Sequence, residues 1–104
     1  MEVIDLLNYA QRNKASDLHI TSGYCPSLRI HGEISPFMGK TLSSDDVQAM
    51  LYSILTDKQR AIYERDMELD FAIQFEEDMR FRVNAFTTHL GPSIVFRTIP
   101  TKVL

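Results

Sequence analysis

The sequence predicts an α+β domain of element order α-β-β-β-α-α-β-β-β, an antiparallel sheet with helices packed on it. Three observations predict it. Apolar residues recur at helical spacing near the start, at Val3, Leu6, Leu7 and Ala10, and again in the middle, at Val47, Met50, Leu51 and Ile54. Two-residue alternation marks five other segments: ASDLHIT, SLRIH, ELDFAIQF, RFRVNAF and SIVFRTIP. The last three strands follow one another through short turns, which only antiparallel neighbours allow.

Each element has its own justification. Residues 2–12 form an amphipathic helix on the spacing just given. In ASDLHIT, Leu18 and Ile20 oppose Asp17, His19 and Thr21, the pattern of a half-buried strand. Gly23 and Pro26 turn the chain into SLRIH, where Leu28 and Ile30 oppose Ser27, Arg29 and His31. Gly32 makes a tight turn into a short strand near Glu33–Phe37, stopped by Pro36 and Gly39. Ser43 caps the next helix, with Asp46 completing a weak capping box and Leu42 and Val47 at the staple positions. Thr56 and Gln59 repeat the box, so a further helix runs to about Asp66. In the final third, Leu69, Phe71, Ile73 and Phe75 line one face of a strand. The acidic turn Glu76–Asp78 leads into MRFRVNAFTT, and a turn around Leu90–Pro92 leads into the last strand.

A chain of 104 residues holds one domain with a modest core. Its apolar content of 44% and charged content of 24% are those of an ordinary globular protein. The net charge of −3 argues against a general nucleic-acid or anionic-membrane surface. No apolar run is long enough to span a bilayer, and the N-terminus lacks the basic-then-apolar order of a signal peptide. Cys25 is the single cysteine, so no internal disulfide forms, and a reducing cytoplasmic setting is expected.

Several motifs fall short. Gly39-Lys40-Thr41 resembles the tail of a phosphate-binding P-loop, but Ile34 stands where the first glycine is required. Hydrolysis of nucleotide by this chain alone is not expected. Asp17, His19 and His31 lack any recognised metal spacing, so no metal site is expected. No activating base can be assigned to Cys25. Glu64, Asp66, Glu68 and Asp70 read as a solvated helix end and strand start. RFRVNAF faintly echoes an RNA-binding pattern of basic and aromatic residues, without its glycine.

The arginines are the better lead. Arg80, Arg82 and Asn84 share one side of their strand, and Arg97 lies in the next. A two-residue loop at His89-Leu90 would set Arg82 directly opposite Arg97, and an odd loop would split them between faces. Like charges directly opposed in a sheet are unfavourable, so an opposed pair points to an anion, often phosphate, between two guanidinium forks. The competing reading pairs each arginine with a carboxylate of the acidic neighbouring strand. The sequence leaves both open.

ASDLHIT, LRIHGE, DKQR, RFRVNAF and VFRTIPTKVL, in that order, resemble the N-terminal domain of the type IV pilus retraction ATPases, the PilT-like twitching-motility proteins of the secretion ATPase superfamily. The resemblance covers essentially the whole chain. Cys25-Pro26 departs from the proline pair usual in the family. The resemblance implies a PAS-like N-terminal domain over 1–100, with 101–104 beginning a linker to a RecA-like ATPase domain absent from this chain, which thus reads as a piece of a longer protein. It implies a hexameric motor that uses ATP and Mg²⁺, no cofactor being expected in the isolated domain. It implies as partners the protein's own ATPase domain, neighbouring subunits and the inner-membrane pilus platform protein, at the cytoplasmic face of that membrane. By the motif match, Arg82 and Arg97 are the expected contacts to ATP phosphates, with Arg80 a third. The alternation, not the motif, nominates Asp17, His19, Arg29 and His31 as a subunit interface. The alternatives are the matching domain of a pilus assembly or type II secretion ATPase, or a free-standing PAS-like sensor. A sensor needs a roomy apolar pocket, whereas Phe71, Ile73, Phe75 and Phe81 predict a packed core.

Overall fold

The computed structural model describes residues 2–100, and the expected linker at 101–104 lies outside them. The elements follow the expected order: α1 (Val3–Arg12), β1 (Asp17–Thr21), β2 (Ser27–Ile30), β3 (Glu33–Pro36), α2 (Ser44–Ser53), α3 (Asp57–Asp66), β4 (Glu68–Glu76), β5 (Met79–Thr88) and β6 (Gly91–Thr98). The strands form one sheet in the order β3-β2-β1-β6-β5-β4, with every pairing antiparallel. The first and last strands meet at its centre, joining the β1–β3 meander to the β4–β6 meander.

One face of this sheet is apolar because the alternation puts it there. Leu18, Ile20, Leu28, Phe81, Val83, Ala85, Ile94 and Phe96 are buried together with Leu6, Leu7 and Ala10 of α1, Val47 and Leu51 of α2, and Tyr63 of α3. Phe81 and Phe96 meet edge to face at 6.3 Å, and Phe75 approaches Phe81 at 6.4 Å, both favourable aromatic geometries. Large side chains thus fill the interior positions where a sensor would hold its ligand. Phe71, Ile73 and Phe75 lie on this face but are only half-buried, since β4 is an edge strand. Tyr63 ties α3 to β5 by a 2.6 Å hydrogen bond between its hydroxyl and that of Thr87.

The helix starts form as their sequences dictate. The Ser43 hydroxyl accepts from the Asp46 N–H at 3.0 Å while the Asp46 carboxylate accepts from the Ser43 N–H at 3.0 Å. Thr56 and Gln59 make the same reciprocal pair at the start of α3. Leu42 and Val47 are both buried, as a hydrophobic staple requires. α3 stops at Met67, whose φ of 62° is left-handed and whose N–H bonds back to the Tyr63 carbonyl at 2.7 Å.

β3 ends at Pro36, where the sequence places its stop; as the last residue of the strand Pro36 still pairs with Ser27, tolerable because β3 is an edge strand. Two details differ from expectation. The last turn is only His89–Leu90, so β6 starts earlier, at Gly91, and takes in Pro92. There Pro92 lacks an N–H but uses its carbonyl, which accepts from both the N–H and the hydroxyl of Ser22 at 3.1 and 2.6 Å. The alternation of SLRIH also runs past its strand: His31 and Gly32 form the two-residue β2–β3 turn, with φ of 51° and 83°. Among the described residues no helix is long and apolar enough to cross a membrane.

Candidate functional site

Among the described residues the sheet's other face carries no helix, and its polar residues stand in rungs. The two-residue loop at His89–Leu90 fixes the β5–β6 register, pairing Arg82 with Arg97. Arg97 pairs on its other side with Asp17, and Asp17 with Arg29. One rung across β2, β1, β6 and β5 therefore reads Arg29, Asp17, Arg97, Arg82. It ends on Ala72 of β4, which has no charge to offer Arg82. The next rung reads His19, Val95, Asn84 and Asp70. Together the two rungs line an open depression of about 380 Å³.

The charges in it are unevenly shared. Asp17 is the buried one, with 9% of its side chain exposed. Its Oδ2 lies 3.7 Å from Nε2 of His19, 3.7 Å from Nε of Arg29 and 3.7 Å from a terminal nitrogen of Arg97. None of these is a close hydrogen bond. Arg29 spends another nitrogen on the Gly32 carbonyl at 2.9 Å, which fastens it to the β2–β3 turn. Asp70 accepts from the Asn84 amide at 2.7 Å rather than from an arginine. Arg82, exposed, makes no ion pair with any described residue. The carboxylates of β4 therefore do not absorb the β5 arginine.

The remaining nominated residues are placed less centrally. Arg80 shares the face with Arg82 but pairs with Gln74, past the last residue of β6, and its carbonyl accepts from the Ile99 N–H at 2.9 Å. His31 is the exception to the proposed face: it sits exposed in the β2–β3 turn, because a left-handed turn residue no longer follows the strand alternation. Asp70, which the sequence marks only as part of a solvated strand start, and Val95 also line the depression. Their alternation was visible, but only the strand order brings them beside Arg82 and Arg97.

Chemically, the rung offers two adjacent guanidinium groups, one lacking a carboxylate partner among the described residues, above a flat open floor. Such forks match the oxygens of phosphate or carboxylate.

No protein-family model matches the chain. It is 40% identical over 104 residues to the type IV pilus retraction ATPase PilT of Pseudomonas aeruginosa, covering 100% of this chain and 30% of that protein. It is 40% identical over 97 residues to a twitching motility protein of Neisseria gonorrhoeae, covering 88% of this chain and 26% of that one. Its fold matches a crystal structure of the pilus retraction motor PilT with bound ADP at a TM-score of 0.90 and 28% identity, over 100% of this chain and 31% of that one. The chain thus spans less than a third of the length of these relatives. In sequence along its whole length and in fold, it belongs with the PilT-like type IV pilus retraction ATPases, as the counterpart of their N-terminal domain.

Proposed function

We infer that this chain serves as the PAS-like N-terminal domain, residues 1–100, of a hexameric motor ATPase that drives type IV pilus retraction. Residues 101–104 then begin the linker to a RecA-like domain that carries the P-loop. ATP and Mg²⁺ sit between the two domains, and this chain's share is the phosphate end. The observation that carries this reading is the Arg82–Arg97 pair: two like charges directly opposed on an open face, one without a counter-ion among the described residues. The fit is chemical, since guanidinium forks take phosphate oxygens in pairs. Arg82 and Arg97 neutralise charge on the transferring phosphoryl group, as arginine fingers do, and Arg80 at the rim is a third, outer contact. Their contacts form when the domains close, which couples nucleotide state to subunit position.

Asp17, His19 and Arg29, with His31 at the edge, lie where a neighbouring subunit's ATPase domain docks. The inner-membrane pilus platform protein is the partner on which the hexamer acts, from the cytoplasmic side. The test is turnover in the full-length protein. Arg82→Ala or Arg97→Ala lowers ATP hydrolysis by about a hundredfold or more. The melting temperature stays nearly unchanged, because both side chains are exposed. A loss of melting temperature matching the loss of activity would instead assign the arginines to a structural ion-pair network.

A further inference from the structure

Asp17 raises a question that phosphate contact by the arginines does not answer. It is the buried charge of the open face, and nitrogens of two arginines and of His19 share its one oxygen Oδ2, each at 3.7 Å. A clamped charge-assisted bond would be nearly an ångström shorter. The three sharers differ in freedom. Arg97 is 68% exposed and stands beside Arg82, whereas Arg29 is 38% exposed and held by the Gly32 carbonyl. The His19 Nε2 is buried without a hydrogen-bond partner, so its bonding capacity is unspent beside the carboxylate. A buried carboxylate stripped of its only cation is strongly unfavourable, but one that keeps an arginine and an imidazole nitrogen beside it is not.

We propose that Asp17 is an exchangeable counter-ion and a positioning residue for Arg97. It holds that arginine toward β1 in the absence of phosphate and releases it toward Arg82 when phosphate arrives. Arg29 and His19 stay behind to satisfy the buried carboxylate, and as the Nε2–H tautomer His19 does so without needing a charge. The device keeps the face from binding stray anions, because an incoming anion must compete with Asp17 for Arg97. It rests on the reading that Arg82 and Arg97 take phosphate.

The test is titration of this chain with inorganic pyrophosphate, followed by the NMR resonances of the arginine side-chain N–H groups, with a melting curve for each variant. Asp17→Asn tightens pyrophosphate binding about tenfold, and Asp70→Asn, which removes the same charge from the same face, changes it less than about twofold. Asp17→Ser is the second variant should the amide not be accommodated. Arg29→Met weakens binding about threefold in the native background and has almost no effect in the Asp17→Asn background, since its influence passes through Asp17. Equal effects of Asp17→Asn and Asp70→Asn, or an Arg29→Met loss that persists without Asp17, would overturn the proposal. Binding that needs Arg82 and Arg97 but ignores Asp17 sinks this proposal alone. Absence of binding in every variant sinks the phosphate reading beneath it as well.

Discussion

At Gly91 three parts of the chain meet. Its φ is +130°, a backbone conformation that side chains resist, and an added Cβ would lie against the Ser44 hydroxyl and 2.7 Å from that of Ser22. Ser22 is itself fully buried and fixed to Pro92, so it has no room to yield. Gly91→Ala therefore destabilises the domain by about 2–3 kcal/mol, read as a lowered denaturant midpoint with an unchanged slope. A cost below about 0.5 kcal/mol would mean that the turn relaxes freely. The same scale shows what single residues conceal. Arg82 announced its side of the strand by alternation with Phe81 and Val83, and the structure puts it there. Asp17 gave no sign of being buried, because its shielding comes from Arg29 and Arg97 on two other strands.

Among the elements, α2 shows a sequence signal turning into a titratable contact. The Ser43 N–H, and then the Ser43 hydroxyl, hold the Asp46 carboxyl below its ordinary value of 3.8. A lowered folded-state value means that the contribution of the capping box is complete above 3.8 and disappears as pH falls through the lowered value. Asp46→Asn should thus unfold at lower denaturant than the native chain near neutral pH, with the gap narrowing as the pH drops below about 4. A gap that stays constant down to pH 2 would show that the carboxylate charge plays no part. The hairpins show the limits of such local signals. The β5–β6 loop length was one of two options in the sequence, and its value decides whether Arg82 meets Arg97 at all. His31 misled because alternation does not mark where a strand ends. The His-Gly pair does so instead, by taking the left-handed turn.

At the scale of the whole molecule, the central pairing of β1 with β6 builds the open face, since it brings Asp17 to Arg97 from opposite ends of the chain. The face offers cations but no P-loop, so the chain by itself should show no ATP hydrolysis above background and should bind ATP only weakly, through its phosphates alone. Calorimetry showing tight ATP binding, or steady phosphate release by the purified chain, would overturn the proposed division of labour between two domains.

The sequence by itself determined the element order, the apolar face, the three helices with the α2 and α3 starts, and the side of the strand on which Arg82 lies. These follow from periodicity and capping, which act over a few residues. Its resemblance to the retraction ATPases was legible in short ordered segments such as RFRVNAF and VFRTIP. Tertiary structure alone decided the rung of Arg29, Asp17, Arg97 and Arg82, the burial of Asp17 and the freedom of Arg82 from any carboxylate among the described residues. Those depend on strand order and register across the sheet, where a shift of one residue sends a side chain to the opposite face.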